Sequence, residues 1–283
     1  MSGKFHIERI DEHLLRSLVK AHAKTPIEFL YLESGTMPIR FIISSRRLMY
    51  LRTILIKEDD ELVRRIFKAQ LDNPSPGDYV ELLKNDFQII EERFEEKEIL
   101  NKSKQAYKKL IKMKIRKAAL NYLNDLKDTH TKIKHIKYET LKCQEYLVSS
   151  MFSNTDINTL FSLRSRMIDC KVNFRNKHQD NNLKCQFCNT DSDDSQEHML
   201  DCVSLGKRLE GKTVAKEKIR YEDLFKDVEK QKQITQIYIE LLEIRNKLQE
   251  EDQCQTLDPS TDPSVLKNSF DLRTSIDNYS FGK

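Results

Sequence analysis

Between Asp78 and Asp258 the chain contains no proline, and Gly206 and Gly211 are its only glycines there. A sheet protein of that span needs many more turn residues, so the stretch predicts long helices. Punctuation is concentrated earlier, at Pro26, Pro38, Pro74 and Pro76. Thr25-Pro26-Ile27-Glu28 offers an N-cap, a proline at the first helical position and a capping glutamate, and Gly35 can end that short helix. Pro38 opens the next, whose apolar positions Ile39, Ile42, Ile43, Leu48, Met49, Leu51, Ile54 and Leu55 are too dense for a narrow stripe and point to burial among neighbours. Asp59 or Asp60 can cap a further helix that stops at Asn73-Pro74. With 38% hydrophobic residues, 33% charged and no Trp, the core is expected to be divided among small helical units.

Charge is unevenly spread. Residues 1–101 carry a net charge of −2, residues 102–177 one of +12 and residues 178–283 one of −6. From Lys102 to Lys117 eight residues are Lys or Arg and none is acidic. Tyr107, Ile111, Ile115, Ala118 and Tyr122 recur there at helical spacing, so one face packs and the remainder is cationic. A solvated surface helix would account for an ordinary Lys-rich run. So strong a local excess also suits a polyphosphate surface, where each neutralised phosphate releases counterions. The expected contacts are Lys104, Lys108, Lys109, Lys112, Arg116 and Lys117, followed by Arg164, Arg166, Lys171, Arg175 and Lys177. Phe174 and Asn173 sit among the last of these, a mixture suited to single-stranded or structured RNA, although Phe174 reads more simply as a core residue.

Cys185, Cys188, His198 and Cys202 form one compact pattern, Cys-x2-Cys-x9-His-x3-Cys. Four protein ligands with no open position suit one structural Zn2+ that folds its surroundings and activates no water. A two-residue turn aims the first two sulfurs at one ion, and the four-residue separation of His198 from Cys202 places both on one helical face. Asp194 and Glu197 resemble a capping box that starts this helix. Asp191, Asp193, Asp194, Glu197 and Asp201 crowd the second ligand pair, and the metal with three thiolates totals about −1. That face is expected to repel phosphate and to act as a clip on the preceding basic segment or as a protein-binding face. An integrase-like use of His130 and His135 with the first cysteine pair leaves nearly fifty residues between them and strands His198 and Cys202.

Leu160-Phe161-Ser162-Leu163-Arg164-Ser165-Arg166-Met167, Lys171-Val172-Asn173-Phe174, Cys185-Gln186-Phe187-Cys188 and Gln196 to Cys202, in that order, resemble the zinc-finger segment downstream of the polymerase in non-LTR retrotransposon polyproteins. The runs Leu32 to Ile42 and Arg46-Arg47-Leu48-Met49-Tyr50 are similar to the segment that follows the reverse transcriptase in the same proteins. The resemblance spans roughly residues 27 to 250 and implies a zinc-containing region that helps hold template RNA or target DNA. The aromatic-x-Asp-Asp metal site of the polymerase is absent, since Asp59-Asp60 and Asp193-Asp194 lack the preceding aromatic. No carboxylate and lysine cluster of a nuclease follows Cys202, and Glu222-Asp223 reads as part of a solvated helical face.

The expected fold is mainly α, a helical array with a small Cys3His zinc-binding module and a disordered C-terminal tail. Residues 1–100 form the helical region, 101–150 the basic helix and connector, 151–205 the basic segment and finger, 206–249 the C-terminal helices and 250–283 the tail. The expected role is binding of RNA or DNA without catalysis. Alternatives are a protein-interaction adaptor using the acidic finger face and terminal helices, an inactive transposon remnant, and a nuclease whose carboxylates come from distant helices. Cys143, Cys170 and Cys254 are scattered, and the first dozen residues lack an apolar core. A reducing nuclear or cytoplasmic setting is therefore expected, not secretion. No apolar run approaches the ~18 residues that span a bilayer, so no membrane partner is expected, and nothing indicates a small-molecule substrate.

Overall fold

The computed structural model describes residues 6–175, 182–188, 190–209 and 220–255. Among them the chain forms α1 (His6–Leu18), α2 (Ile27–Ser34), α3 (Ile39–Leu55), α4 (Leu62–Asp72), α5 (Tyr79–Ile89), α6 (Glu96–Asn101), α7 (Lys104–Asp128), α8 (Asn154–Arg164), α9 (Gln196–Asp201), α10 (Val203–Leu209) and α11 (Val228–Gln255). Short 3-10 turns lie at Glu145–Leu147 and Tyr221–Phe225. No strand occurs among the described residues, and the one isolated bridge pairs Lys184 with Asp193. The mainly helical expectation holds.

Helix α7 organises the first half by packing against α2 and α3. Its buried positions Tyr107, Ile111, Ile115, Ala119, Leu123 and Lys127 recur every fourth residue. The inward stripe therefore follows Ala119 and Leu123, with Ala118 and Tyr122 only half-buried beside it. Ala119 lets the backbones approach, and the Tyr107 hydroxyl donates to the Leu48 carbonyl of α3 at 2.9 Å, so its polar end is satisfied inside the core. On α3 the buried set is Phe41, Ser44, Ser45, Leu48, Leu51, Ile54 and Leu55, while Ile43 is exposed.

Two expected caps are replaced. Pro26 itself occupies the N-cap of α2, and the Thr25 hydroxyl is buried without a hydrogen-bond partner. Glu61, not Asp59 or Asp60, stands at the N-cap of α4, because Asp59 turns to Arg64 at 3.6 Å and Lys68 at 2.6 Å. The C-terminal signals survive. Gly35 ends α2 with φ 66°, and a Cβ there would collide with the backbone of Lys142 and Cys143, so left-handed geometry and close approach both require glycine.

The buried apolar side chains form one contiguous cluster from Leu15 to Ile244 rather than the divided core expected from composition. Glu33, at 0% exposure, ties the halves together. It accepts from Arg164 at 2.8 Å and from the hydroxyls of Tyr138 and Tyr146, while Arg164 also donates to the Leu224 carbonyl at 2.8 Å. Helix α11 carries ordered chain through Gln255, beyond the Glu250 boundary expected for the tail; the remaining tail expectation concerns residues 256–283, outside the described residues. No helix among the described residues is long and apolar enough to cross a membrane.

Candidate metal centre and the basic cleft beside it

Backbone pairing builds the first ligand pair. Cys185 N–H donates to the Ser192 carbonyl at 2.9 Å and Asp194 N–H to the Leu183 carbonyl at 2.7 Å, closing a loop that returns the chain beside Cys185. The Lys184 ammonium spans Asp191 and Asp193, each at 3.2 Å. Helix α9 and its C-cap then supply the second pair. Ser195 is its N-cap, accepting from His198 N–H at 3.1 Å, which corrects the Asp194–Glu197 capping box. His198 lies within α9, whereas Cys202 is its C-cap in extended backbone, so the expectation that one helix carries both ligands is corrected: the helix ends at Asp201 and the turn out of it presents Cys202.

The donor atoms of Cys185, Cys188, His198 and Cys202 all lie within 4.8 Å of one another. Cys185 Sγ is 4.0 Å from Cys202 Sγ, and Cys188 Sγ is 3.3 Å from His198 Nε2. A tetrahedral ion with Zn–S of ~2.3 Å holds its sulfurs about 3.8 Å apart, close to the Cys185–Cys202 separation, so the quartet could hold such a metal ion. Cys185 and Cys202 are buried, whereas Cys188 and His198 are half-buried. Burial pushes the Cys185 thiol up to about 12, while the Thr190 hydroxyl, aided by His198, brings Cys188 down to about 6. A cation among these donors would stabilise the thiolates that the protein alone leaves protonated at Cys185.

Asp194 faces away from the metal ligands. Its carboxylate accepts from both terminal nitrogens of Arg245 on α11, at 2.6 and 2.7 Å, and from Lys171 N–H at 2.9 Å. Burial would raise this carboxyl, but Arg245 holds it below the ordinary carboxylate range. Gln196 completes the clip by donating to the Leu163 carbonyl at 3.0 Å and accepting from Asn173 at 3.0 Å. The finger thus grips the preceding segment through Lys171, Val172 and Asn173, and Val172 N–H adds a bond to the Asp194 carbonyl at 3.0 Å. Its expected acidic face is neutralised in part, since Glu197 pairs with Arg166 at 2.5 Å and a single Lys184 ammonium is shared by Asp191 and Asp193. Asp201 remains exposed.

The residues expected to meet nucleic acid separate into distinct environments. Lys104, Lys108, Lys109, Lys112 and Lys117 are exposed on α7, with no ion pair among the described residues. Arg116 is exposed but reaches back to the Leu141 carbonyl, tying α7 to the following loop. Arg164 is corrected outright, because at 3% exposure it is the buried partner of Glu33. Arg166 and Lys171 are half-buried, Arg175 is exposed, and Lys177 lies outside the described residues. Phe174 is a wall residue with the His22 ring 5.4 Å away and the Lys132 ammonium 5.1 Å from its centroid, so it does not present a free face to a base. His130 sits 3.3 Å from Glu28 and His135 packs edge-on against Phe225, which removes the integrase-like ligand set.

A cleft of about 680 Å³ lies beside the clip, lined by residues from the turn after α1 (Lys24), the turn after α7 (Thr131, Lys132, His135) and the segment leading to the finger (Arg166, Asn173, Arg175). Lys24, Lys132 and His135 are its unanticipated members. Lys24 lies in an acidic segment and Lys132 beyond the conspicuous lysine run, so local charge counting could not join them. Burial lowers the Lys132 ammonium, and Lys24 and Arg166 lower it further, so these cations share one electrostatic neighbourhood. Partial burial, with Arg166 and Lys127, likewise lowers His135 from the ordinary imidazole range. Compared with known proteins, the chain matches no family model, no curated protein and no solved structure.

Proposed function

We propose that this chain is a zinc-stabilised nucleic-acid-binding module, with RNA or single-stranded DNA as its partner, related to the post-polymerase segment of non-LTR retrotransposon polyproteins and performing no catalysis itself. The ion it holds is Zn2+, one per chain, in a structural role. The observation that carries the binding reading is the outward face of α7, where Lys104, Lys108, Lys109, Lys112 and Lys117 stand exposed. Four of these five lie in the first three turns, and no acid occupies the first turn. Lys104, in the first turn, opposes the macrodipole, and the five lysines form no ion pair among the described residues, so the face is open to a polyanionic partner. Of the five carboxylates of the acidic finger face on which the adaptor alternative draws, Asp194 and Glu197 are paired with Arg245 and Arg166.

The test is a salt titration of labelled single-stranded RNA with the zinc-loaded chain, read by fluorescence anisotropy. Wild type should weaken steeply as salt rises. Changing the five lysines together to Gln should lower affinity and flatten the slope by roughly 0.7 per lost phosphate contact, with helicity unchanged. A wild-type chain that ignores RNA and DNA at low salt sinks the reading.

A further inference from the structure

We infer that the cleft between Lys24, Lys132, Arg166 and Arg175 seats a phosphate group of a polynucleotide backbone. The inference deepens the nucleic-acid reading and rests on it for the source of the phosphate. Four cations from three separate parts of the chain line one concavity, and among the described residues the carboxylate paired with any of them is Glu197, on Arg166. Such a concentration of like charge is unfavourable in an isolated fold and is relieved by a bound anion.

The groups are graded in depth. Lys24 and Arg175 are exposed at the rim, where they can meet an approaching strand, while Lys132 and Arg166 are half-buried. Lys132 is anchored on the Asn173 carbonyl at 2.5 Å, and Arg166 is held over the Tyr221 ring at 5.4 Å while donating one amino group to Glu197. The remaining Arg166 donors are thus held on a positioned guanidinium suited to phosphate oxygens. The finger fixes this arrangement, since Asn173 is bonded to Gln196 two residues before His198, and Glu197 comes from the helix that bears His198 and is capped by Cys202. A cleft of this size lies within the roughly 300–1,000 Å³ of small-ligand sites and admits a sugar-phosphate unit. Because Phe174 is covered by His22 and Lys132, the grip is on the backbone and not on a stacked base.

The experiment compares three full-length, zinc-loaded proteins: wild type, Lys24→Gln/Arg175→Gln, and Lys132→Gln. Each is titrated with labelled oligouridylate and, separately, with uridine monophosphate, uridine and inorganic phosphate, with melting temperature and zinc content as controls. The rim double variant should keep both controls, lose about tenfold in RNA affinity at low salt and have a slope shallower by roughly 1.4. Uridine monophosphate should compete with RNA and uridine should not; competition equal to that of inorganic phosphate would place recognition in the oxyanion alone, still in support. Unchanged affinity and slope in the double variant, with RNA binding still lost in the α7 lysine variant, overturns the cleft while leaving the nucleic-acid reading intact. If wild type binds no RNA, that reading fails. Monophosphate binding that Lys132→Gln abolishes would then support the cleft as a free-nucleotide site, and its absence would overturn the inference too.

Discussion

Helices α3 and α7 and the Cys3His segment represent two ways of ordering a chain with few apolar residues. In the first, Leu48, Leu51, Ile115 and Ala119 are each at 0% exposure, and fully burying a large aliphatic side chain contributes about 1.5–3 kcal/mol. Around the second, apolar anchors are sparse, chiefly Met199 and Leu205 at 1%. Order there rests on ligands that converge within 4.8 Å and on the Asp194–Arg245 fork that binds the finger to α11. Apolar area is divisible and survives the loss of any one contributor. A metal quartet is not, so the same chain should respond very differently to single substitutions in its two regions.

The sharpest test of that contrast has the largest expected effect. Cys188→Ser and His198→Ala should each reduce metal content from one zinc per chain to near none, because structural zinc contributes on the order of 10 kcal/mol or more to local folding. Hydrogen exchange should accelerate over α9, α10 and the Lys171–Asn173 clip, while amides of α3 and α7 stay protected. Equal loss of protection in α3 and α7 would show that the two regions fold as one unit and break the comparison.

An intermediate effect belongs to the junction. Glu33→Ala leaves Arg164 buried and uncompensated, at a cost of about 3–5 kcal/mol. Chemical denaturation should show the loss globally, with zinc still bound in the native baseline. A destabilisation under 1 kcal/mol would mean that water reaches Arg164 and that the two halves are joined by apolar packing alone.

This junction also marks where sequence reading ran out. The four candidate metal ligands were legible because metal geometry forces such residues into two short, recognisable pairs, and α7 was legible because its inward stripe repeats within a single helix. Arg164 and Arg166 stand two residues apart in the same basic run, and nothing local distinguishes them. One meets Glu33 from 131 positions away and the other lines the cleft. Asp194 misled for a related reason. Asp-x-x-Glu is the pattern of a cap, but the adjacent Ser195 takes that role once Arg245 draws Asp194 toward α11. Local pattern identified which residues carry chemistry; long-range pairing decided which of them stay available for a ligand.

The smallest effect separates the regions by comparing equivalent caps. Ser195 caps α9 by accepting from His198 N–H at 3.1 Å, and Ser103 caps α7 by accepting from Ala106 N–H at 3.2 Å. Either serine changed to Ala should cost about 1 kcal/mol. At Ser195 the loss falls on the short helix that carries His198 and ends at Cys202, so it should emerge as roughly fivefold weaker zinc binding in competition with a chromophoric chelator. At Ser103 it falls on a helix already held by its buried stripe, so it should lower overall stability and leave zinc affinity unchanged. Ser195→Asp restores an acceptor at the same position and should recover most of the affinity. If both alanine variants shifted zinc affinity equally, the metal centre would be drawing its order from the whole fold rather than from its own helix.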